Sequence, residues 1–144
     1  MKLFAVIDTN VLVSSLLTRN KEAATARLVD ALFQGRFYAV YCTEILEEYD
    51  EVLRRQEFHF EPDVVNSILS VIQTNGICSD RVPSDDIVID PKDVVFYEVS
   101  LSVDGAFLVT GNLRHFPMKP NVVTPAEMLS ILEDKEASVP WESS

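Results

Sequence analysis

The sequence is poor in glycine, cysteine and positive charge, and it has no long apolar run. Its four glycines, Gly35, Gly76, Gly105 and Gly111, each sit at the edge of an apolar segment, and no repeat or low-complexity stretch precedes the C-terminal end. The two cysteines, Cys42 and Cys78, have no CxxC spacing and no partner histidines nearby. They exclude a disulfide scaffold and read as small buried apolar residues of a reducing cytoplasm. Twelve basic residues against 23 acidic ones give a formal net charge of −11. That excludes a generally basic nucleic-acid coat but not a nucleic-acid substrate, because a cleft can differ from the average. After Lys2 only five apolar residues, Leu3 to Ile7, precede Asp8. A signal peptide needs an apolar core of about 7–15 residues and a membrane span about 20. A cytoplasmic protein without membrane contact is expected.

What is present is ordinary: 144 residues, 47% apolar and 24% charged. A chain this long typically buries roughly 70% of the surface its unfolded form exposes, so one core forms without staples. The expected division is a domain over 1–134 and a polar tail over 135–144.

Residues 3–7 (LFAVI) form an unbroken apolar run, suited to a strand covered on both faces. A short segment over 11–17 follows. A helix over 22–34 is expected to end at Gly35, and a strand over 37–42 follows. Thr43 can cap a helix over 44–55, and Pro62 opens another to about Gln73, closed by Asn75-Gly76. A third strand is expected over 77–82, a helix over 91–102 opened by Asp90-Pro91, and strands at 106–109 and 121–123. Thr124-Pro125-Ala126-Glu127 is a capping box that starts the last helix. Strands alternating with helices predict an α/β fold with a mainly parallel sheet, whose functional crevice lies at the carboxyl ends of the strands.

Acids gather at those ends. Asp8-Thr9-Asn10 closes the first strand, Glu44 follows the second, Asp93 lies in the first turn of the helix before the fourth, and Thr110-Gly111-Asn112 follows the fourth. A parallel sheet would bring Asp8, Glu44 and Asn112 to one edge, with Asp93 reaching them from its helix start. Clustered carboxylates repel one another and hold raised pKa values unless a cation neutralises them. Oxygen-only ligands select hard ions such as Mg²⁺ or Mn²⁺, and a metal-dependent phosphodiester hydrolase follows.

The ordered set VIDTNVLVSSLL (6–17), TEILEEYDEVL (43–53), DPKDVVFYEVSLSVDGAFLVTGN (90–112) and LRHFP (113–117) resembles the PIN domain. It is most similar to the small bacterial PIN proteins grouped with toxin subunits of toxin–antitoxin pairs. The resemblance covers residues 2 to about 132. It implies a three-layer fold with sheet order 3-2-1-4-5, cleavage of single-stranded RNA with Mg²⁺ or Mn²⁺, a homodimer and an antitoxin partner. Carried over by motif, Asp8, Glu44 and Asp93 correspond to three metal-binding acids, and Asn112 stands where a fourth acid is common. An uncharged Asn carbonyl can still ligate a hard cation, so one firm metal site and a weaker second one are expected. Small proteins that resemble this chain also carry Asn there, which favours an active enzyme.

Each residue also has a plainer reading. Asp8 could cap the following helix, and Asn10 could hold the turn. Glu44 could serve the helix dipole among Glu47, Glu48, Asp50 and Glu51, which read as solvated face. Asp90 is the expected cap that frees Asp93. Thr9, Ser14 and Thr110, with Asn10, could support a metal ligand by hydrogen bonds or make ordinary turns. Arg54, Arg55, Lys92, Arg114, His115 and Lys119 are the basic groups that could line an RNA path, or merely decorate the surface. The negative balance leaves room for a basic antitoxin segment to cover the acidic site.

Rival classes fit less well. A haloacid-dehalogenase-type phosphotransferase needs DxDxT, and Asn10 occupies the second acid. A response-regulator receiver needs an acid pair at the first strand and a phospho-accepting Asp after the third. No P-loop, GxSxG or zinc pattern occurs. A catalytically weak or inactive PIN-like module that acts by protein–protein binding remains the alternative.

Overall fold

The computed structural model describes residues 2–137. The first apolar run becomes β1 (Phe4–Ile7), in which Ala5, Val6 and Ile7 are wholly buried. Helices packed on both sides of the sheet leave this central strand no wet face, which explains the absence of alternation. The sheet is completed by β2 (Tyr38–Tyr41), β3 (Ile77–Cys78), β4 (Phe107–Val109) and β5 (Val122–Val123). All pairings are parallel and the order is 3-2-1-4-5.

Six helices cover the sheet in a three-layer α/β/α arrangement. They are α1 (Thr9–Leu17), α2 (Ala24–Phe33), α3 (Thr43–Leu53), α4 (Pro62–Asn75), α5 (Val94–Ser100) and α6 (Pro125–Ala137). α4 packs on β2 and β3, α5 on β1, β2 and β4, while α2 joins α1 to α6. The local signals hold where they rest on backbone chemistry. Gly35 takes φ +73° after α2, a conformation nearly free only for glycine. Gly76 lets the end of α4 meet β2: a Cβ there would stand 2.3 Å from the Ile72 carbonyl oxygen and 2.4 Å from that of Ala39. The capping box forms in both directions, Thr124 N–H to Glu127 Oε1 at 2.8 Å and Glu127 N–H to Thr124 Oγ1 at 3.1 Å.

Four expectations need correction. β3 spans two exposed residues rather than the whole of 77–82, because it is a sheet edge. From Ser79 the chain instead follows α5, with Val82 N–H donating to the Glu98 carbonyl at 3.1 Å. Cys78 on β3 is exposed, unlike buried Cys42, and both are free thiols. The helix over 91–102 opens as a 3₁₀ turn, Pro91–Asp93, before α5 proper. Residues 135–137, expected in the tail, belong to α6; residues 138–144 of that tail lie outside the described residues. No helix among the described residues is long and apolar enough to cross a membrane.

Candidate active site

The register of β1 on β4 sets Ile7 opposite Val109, so Asp8 and Thr110 leave the sheet side by side. Asp8 N–H continues the ladder to the Val109 carbonyl at 2.9 Å. Thr110 is fully buried, and its hydroxyl donates to Asp8 Oδ2 at 2.8 Å while accepting the Asn112 N–H at 3.0 Å. Asp8 occupies the N-cap position of α1 but closes no side-chain capping bond. Its best-formed hydrogen bond is the one from Thr110, across the sheet edge, so capping alone does not account for it. Asp8 is only 5% exposed. Burial raises its pKa, and the Thr110 hydroxyl, the Asn10 N–H, His115 and the Thr9 N–H lower it by less.

Asp93 arrives from the turn before α5. Asp90 Oδ1 accepts the Lys92 N–H at 3.0 Å and so takes the capping role, leaving the Asp93 side chain to turn inward at 18% exposure. Its pKa is pushed up to about 6, first by burial, then by the charges of Asp8 and Asp90, while His115 pulls it down. His115 Nδ1 lies 3.5 Å from Asp93 Oδ2. Two carboxylates thus share a poorly hydrated corner, and each ionises against the other.

Glu44 is not drawn into that corner. It is exposed and pairs with Arg81 at 3.2 Å, and the same guanidinium donates through Nε to Glu98 Oε1 at 2.8 Å. One turn further along α3, half-buried Glu48 accepts the Thr9 hydroxyl, next to Asp8. Residues four apart share a helix face, so the E-x-x-x-E spacing of Glu44 and Glu48 was the available signal. The tertiary contact with α1 distinguishes them. Thr9 therefore meets the site through Glu48. The Asn10 and Ser14 side chains are exposed and make no hydrogen bond to it among the described residues. Asn112 touches the site through its backbone, by way of Thr110.

The expected RNA-path cations divide. Arg54 pairs with Asp50 at 2.7 Å and Arg55 with Glu51 at 3.0 Å, both within α3. They pair with i,i+4 neighbours at the opposite end of the helix from Glu44. Lys92, Arg114 and His115 flank Asp93 and Asn112 in the two 3₁₀ turns Pro91–Asp93 and Leu113–His115. Neither Lys92 nor Arg114 has a carboxylate partner within 4 Å among the described residues, whereas Arg27, Arg36, Arg54, Arg55 and Arg81 all do.

A strand-end aspartate, a helix-start aspartate and a TGN turn on a 3-2-1-4-5 sheet define a nuclease-type α/β site. A family model described as PIN domain matches residues 5–114, and the chain belongs to that family. Neither the curated proteins nor the solved structures give a match to the chain. PIN domains are in general metal-dependent nucleases, with divalent ions as their usual cofactors.

The donors here fit such an ion. Asp8 and Asp93 are hard oxygen donors whose mutual repulsion a cation would relieve. Among the described residues no three His, Cys, Asp or Glu side chains converge as a ready-made cage. The remaining positions would thus fall to neutral oxygens, water or substrate, as suits Mg²⁺ or Mn²⁺.

Proposed function

We propose that the protein is a metal-dependent endoribonuclease that cleaves single-stranded RNA, the toxin subunit of a toxin–antitoxin pair, working as a cytoplasmic homodimer. The observation that carries the reading is the Asp8–Asp93 pair, two carboxylates held close with Asp93 pushed up to about 6 and no cation of the protein's own between them. Asp8 and Asp93 would hold Mg²⁺ or Mn²⁺ with Asn112 as a neutral donor, and Glu48, which accepts the Thr9 hydroxyl, would steady the turn that carries Asp8 in place of the part first assigned to Glu44. A bound divalent ion would supply positive charge at the phosphodiester oxygens and acidify a water nucleophile. The chain's own residues prepare that corner. Thr110 fixes the Asp8 carboxylate by its hydroxyl, Asp90 holds the turn that presents Asp93, and His115 offers a ring nitrogen beside Asp93 to a phosphate oxygen. Burial of Asp8 and Thr110 keeps water from competing for their oxygens.

The test is cleavage of a labelled single-stranded RNA by chelator-treated protein with and without added Mn²⁺. Cleavage restored by Mn²⁺ and absent in Asp8→Asn supports the reading. Protein that binds neither ion nor RNA would return it to the inactive binding module.

A further inference from the structure

Beside the acid pair lies a second feature that cleavage itself does not need. A groove of about 310 Å³ opens between the Leu113–His115 turn and β5. Phe116 and Val122, both buried, form its floor. Leu113 and Met118 form its walls, 41% and 100% exposed, and Arg114 and Lys119 stand at its rim. Its size matches the lower end of small-ligand sites, about 300–1,000 Å³. Its lining is mainly apolar, and exposed Leu113 and Met118 stand together on it rather than singly, an arrangement that marks a binding groove.

We propose that this groove seats a nucleobase of the RNA strand next to the scissile phosphate, with Arg114 and Lys119 on the flanking phosphates; this rests on the nuclease reading. Continuity supports the occupant. One three-residue turn carries both His115, in contact with Asp93, and Leu113 and Arg114, on the groove. A strand held at the acid pair must run past it. Charge supports it as well. On a chain of net charge −11, Arg114 has no carboxylate partner within 4 Å among the described residues. Lys119 has only the nearby field of Asp86, whose carboxylate is committed to the Tyr97 hydroxyl at 2.6 Å. An apolar wall beside basic side chains can pack against a base while the cations track the flanking phosphates, as in grooves that hold single strands. The same turn is tied to the 79–89 segment, where the Ile89 N–H donates to the His115 carbonyl at 3.3 Å.

The experiment measures affinity of fluorescent single-stranded RNA for the whole chain in EDTA, where no cleavage occurs. Met118→Glu should weaken binding about tenfold or more, the size of one lost stack. A residue fully exposed in the free protein can be changed without unfolding it, and an unchanged melting temperature checks this. Arg114→Ala should weaken binding across sequences and reduce the salt slope by about 1. A 4-thiouridine adjacent to the cleavage position should cross-link within 113–119. Parental affinity and salt slope in both variants would overturn the groove assignment, as would loss of a bound partner protein with RNA binding intact. Failure of the unaltered protein to bind RNA at all would instead sink the nuclease reading on which the groove depends.

Discussion

Two acidic clusters lie close together in this fold, and they solve the same electrostatic problem in opposite ways. Glu44 and Glu98 share the guanidinium of Arg81, and Glu98 also accepts the Ser84 N–H at 3.1 Å. Their charge is settled inside the protein. Asp8 and Asp93 have a hydroxyl, backbone donors and a histidine, but no lysine or arginine within 4 Å among the described residues. Proximity of acids is therefore a poor guide to function unless one asks which acids already have a cation. The first cluster pins the 79–89 segment to α5. The second is left to be completed by an ion from outside.

The comparison breaks most sharply by neutralising one member of each cluster. Asp8→Asn changes charge with almost no change in volume. It should reduce metal-dependent cleavage by at least about two orders of magnitude, beyond the 10–100-fold typical of an outer partner. It should also abolish the melting-temperature rise on adding Mn²⁺. That rise corresponds to roughly 2.7 kcal/mol at 100 times the dissociation constant. Glu44→Gln should leave both readouts near parental, and Glu48→Gln should impair both. Calorimetric melts with and without Mn²⁺ check this. An ion response that survives in Asp8→Asn but not in Glu44→Gln would reverse the assignment.

Arg81→Ala should give the opposite pattern. It strands Glu98, whose side chain is 11% exposed, and breaking a buried pair costs about 3–5 kcal/mol. Because Arg81 itself is 39% exposed, water reduces this to about 1–3 kcal/mol. Denaturant unfolding should show the loss equally with and without Mn²⁺.

The same contrast explains how far residues alone could lead. β1, the capping box and Asp90 in its capping role were legible because each is local chemistry or a buried apolar run, whereas the strand order came only through the resemblance to the PIN domain. The pairing of Arg54 and Arg55 was legible too, since Asp50 and Glu51 stand four residues before them. What could not be read was which acid of α3 meets Asp8. Glu44 and Glu48 lie on one face, and only the contact of Thr9 across to α3 separates them. Nor could Arg81 be assigned. A lone arginine in a connection has no periodicity, and its partners come from α3 and α5. The brevity of β3 has a similar origin, because an edge strand has one neighbour only, and past Ser79 the chain turns to α5, where Val82 N–H donates to the Glu98 carbonyl.

A smaller effect should appear in the pH dependence of the metal-free protein. Folding raises Asp93 from 3.8 to about 6, so the folded state binds its proton more tightly than the unfolded state. The resulting penalty is fully present above about pH 6 and disappears as pH falls towards 3.8. Stability should therefore increase on acidification across that window, by about 1–2 kcal/mol once partial exposure is allowed for. Asp93→Asn should remove this slope and stabilise the metal-free protein at pH 8. Urea midpoints between pH 4 and 8 measure it. A parental slope retained in Asp93→Asn would assign the titration elsewhere.

The smallest expected change sharpens the comparison from the side of the missing acid. Asn112→Asp places a third carboxylate beside the uncompensated pair. Residue 112 is exposed and reaches the site through its backbone N–H on Thr110, so the substitution disturbs no side-chain hydrogen bond among the described residues. In metal-free protein the cost should stay within about 0.5 kcal/mol, as for surface changes generally, because water screens the new charge. With Mn²⁺ the sign should invert. Each added anionic oxygen strengthens a hard-ion site, so the midpoint of the Mn²⁺ titration should move to lower concentration and cleavage at limiting Mn²⁺ should rise. The same substitution at Glu44's neighbour Thr43 should do neither, because Arg81 already supplies the cation there. Isothermal titration of the two variants decides it: equal Mn²⁺ affinity in Asn112→Asp and Thr43→Asp would show that position 112 lies too far from the pair to act as a donor.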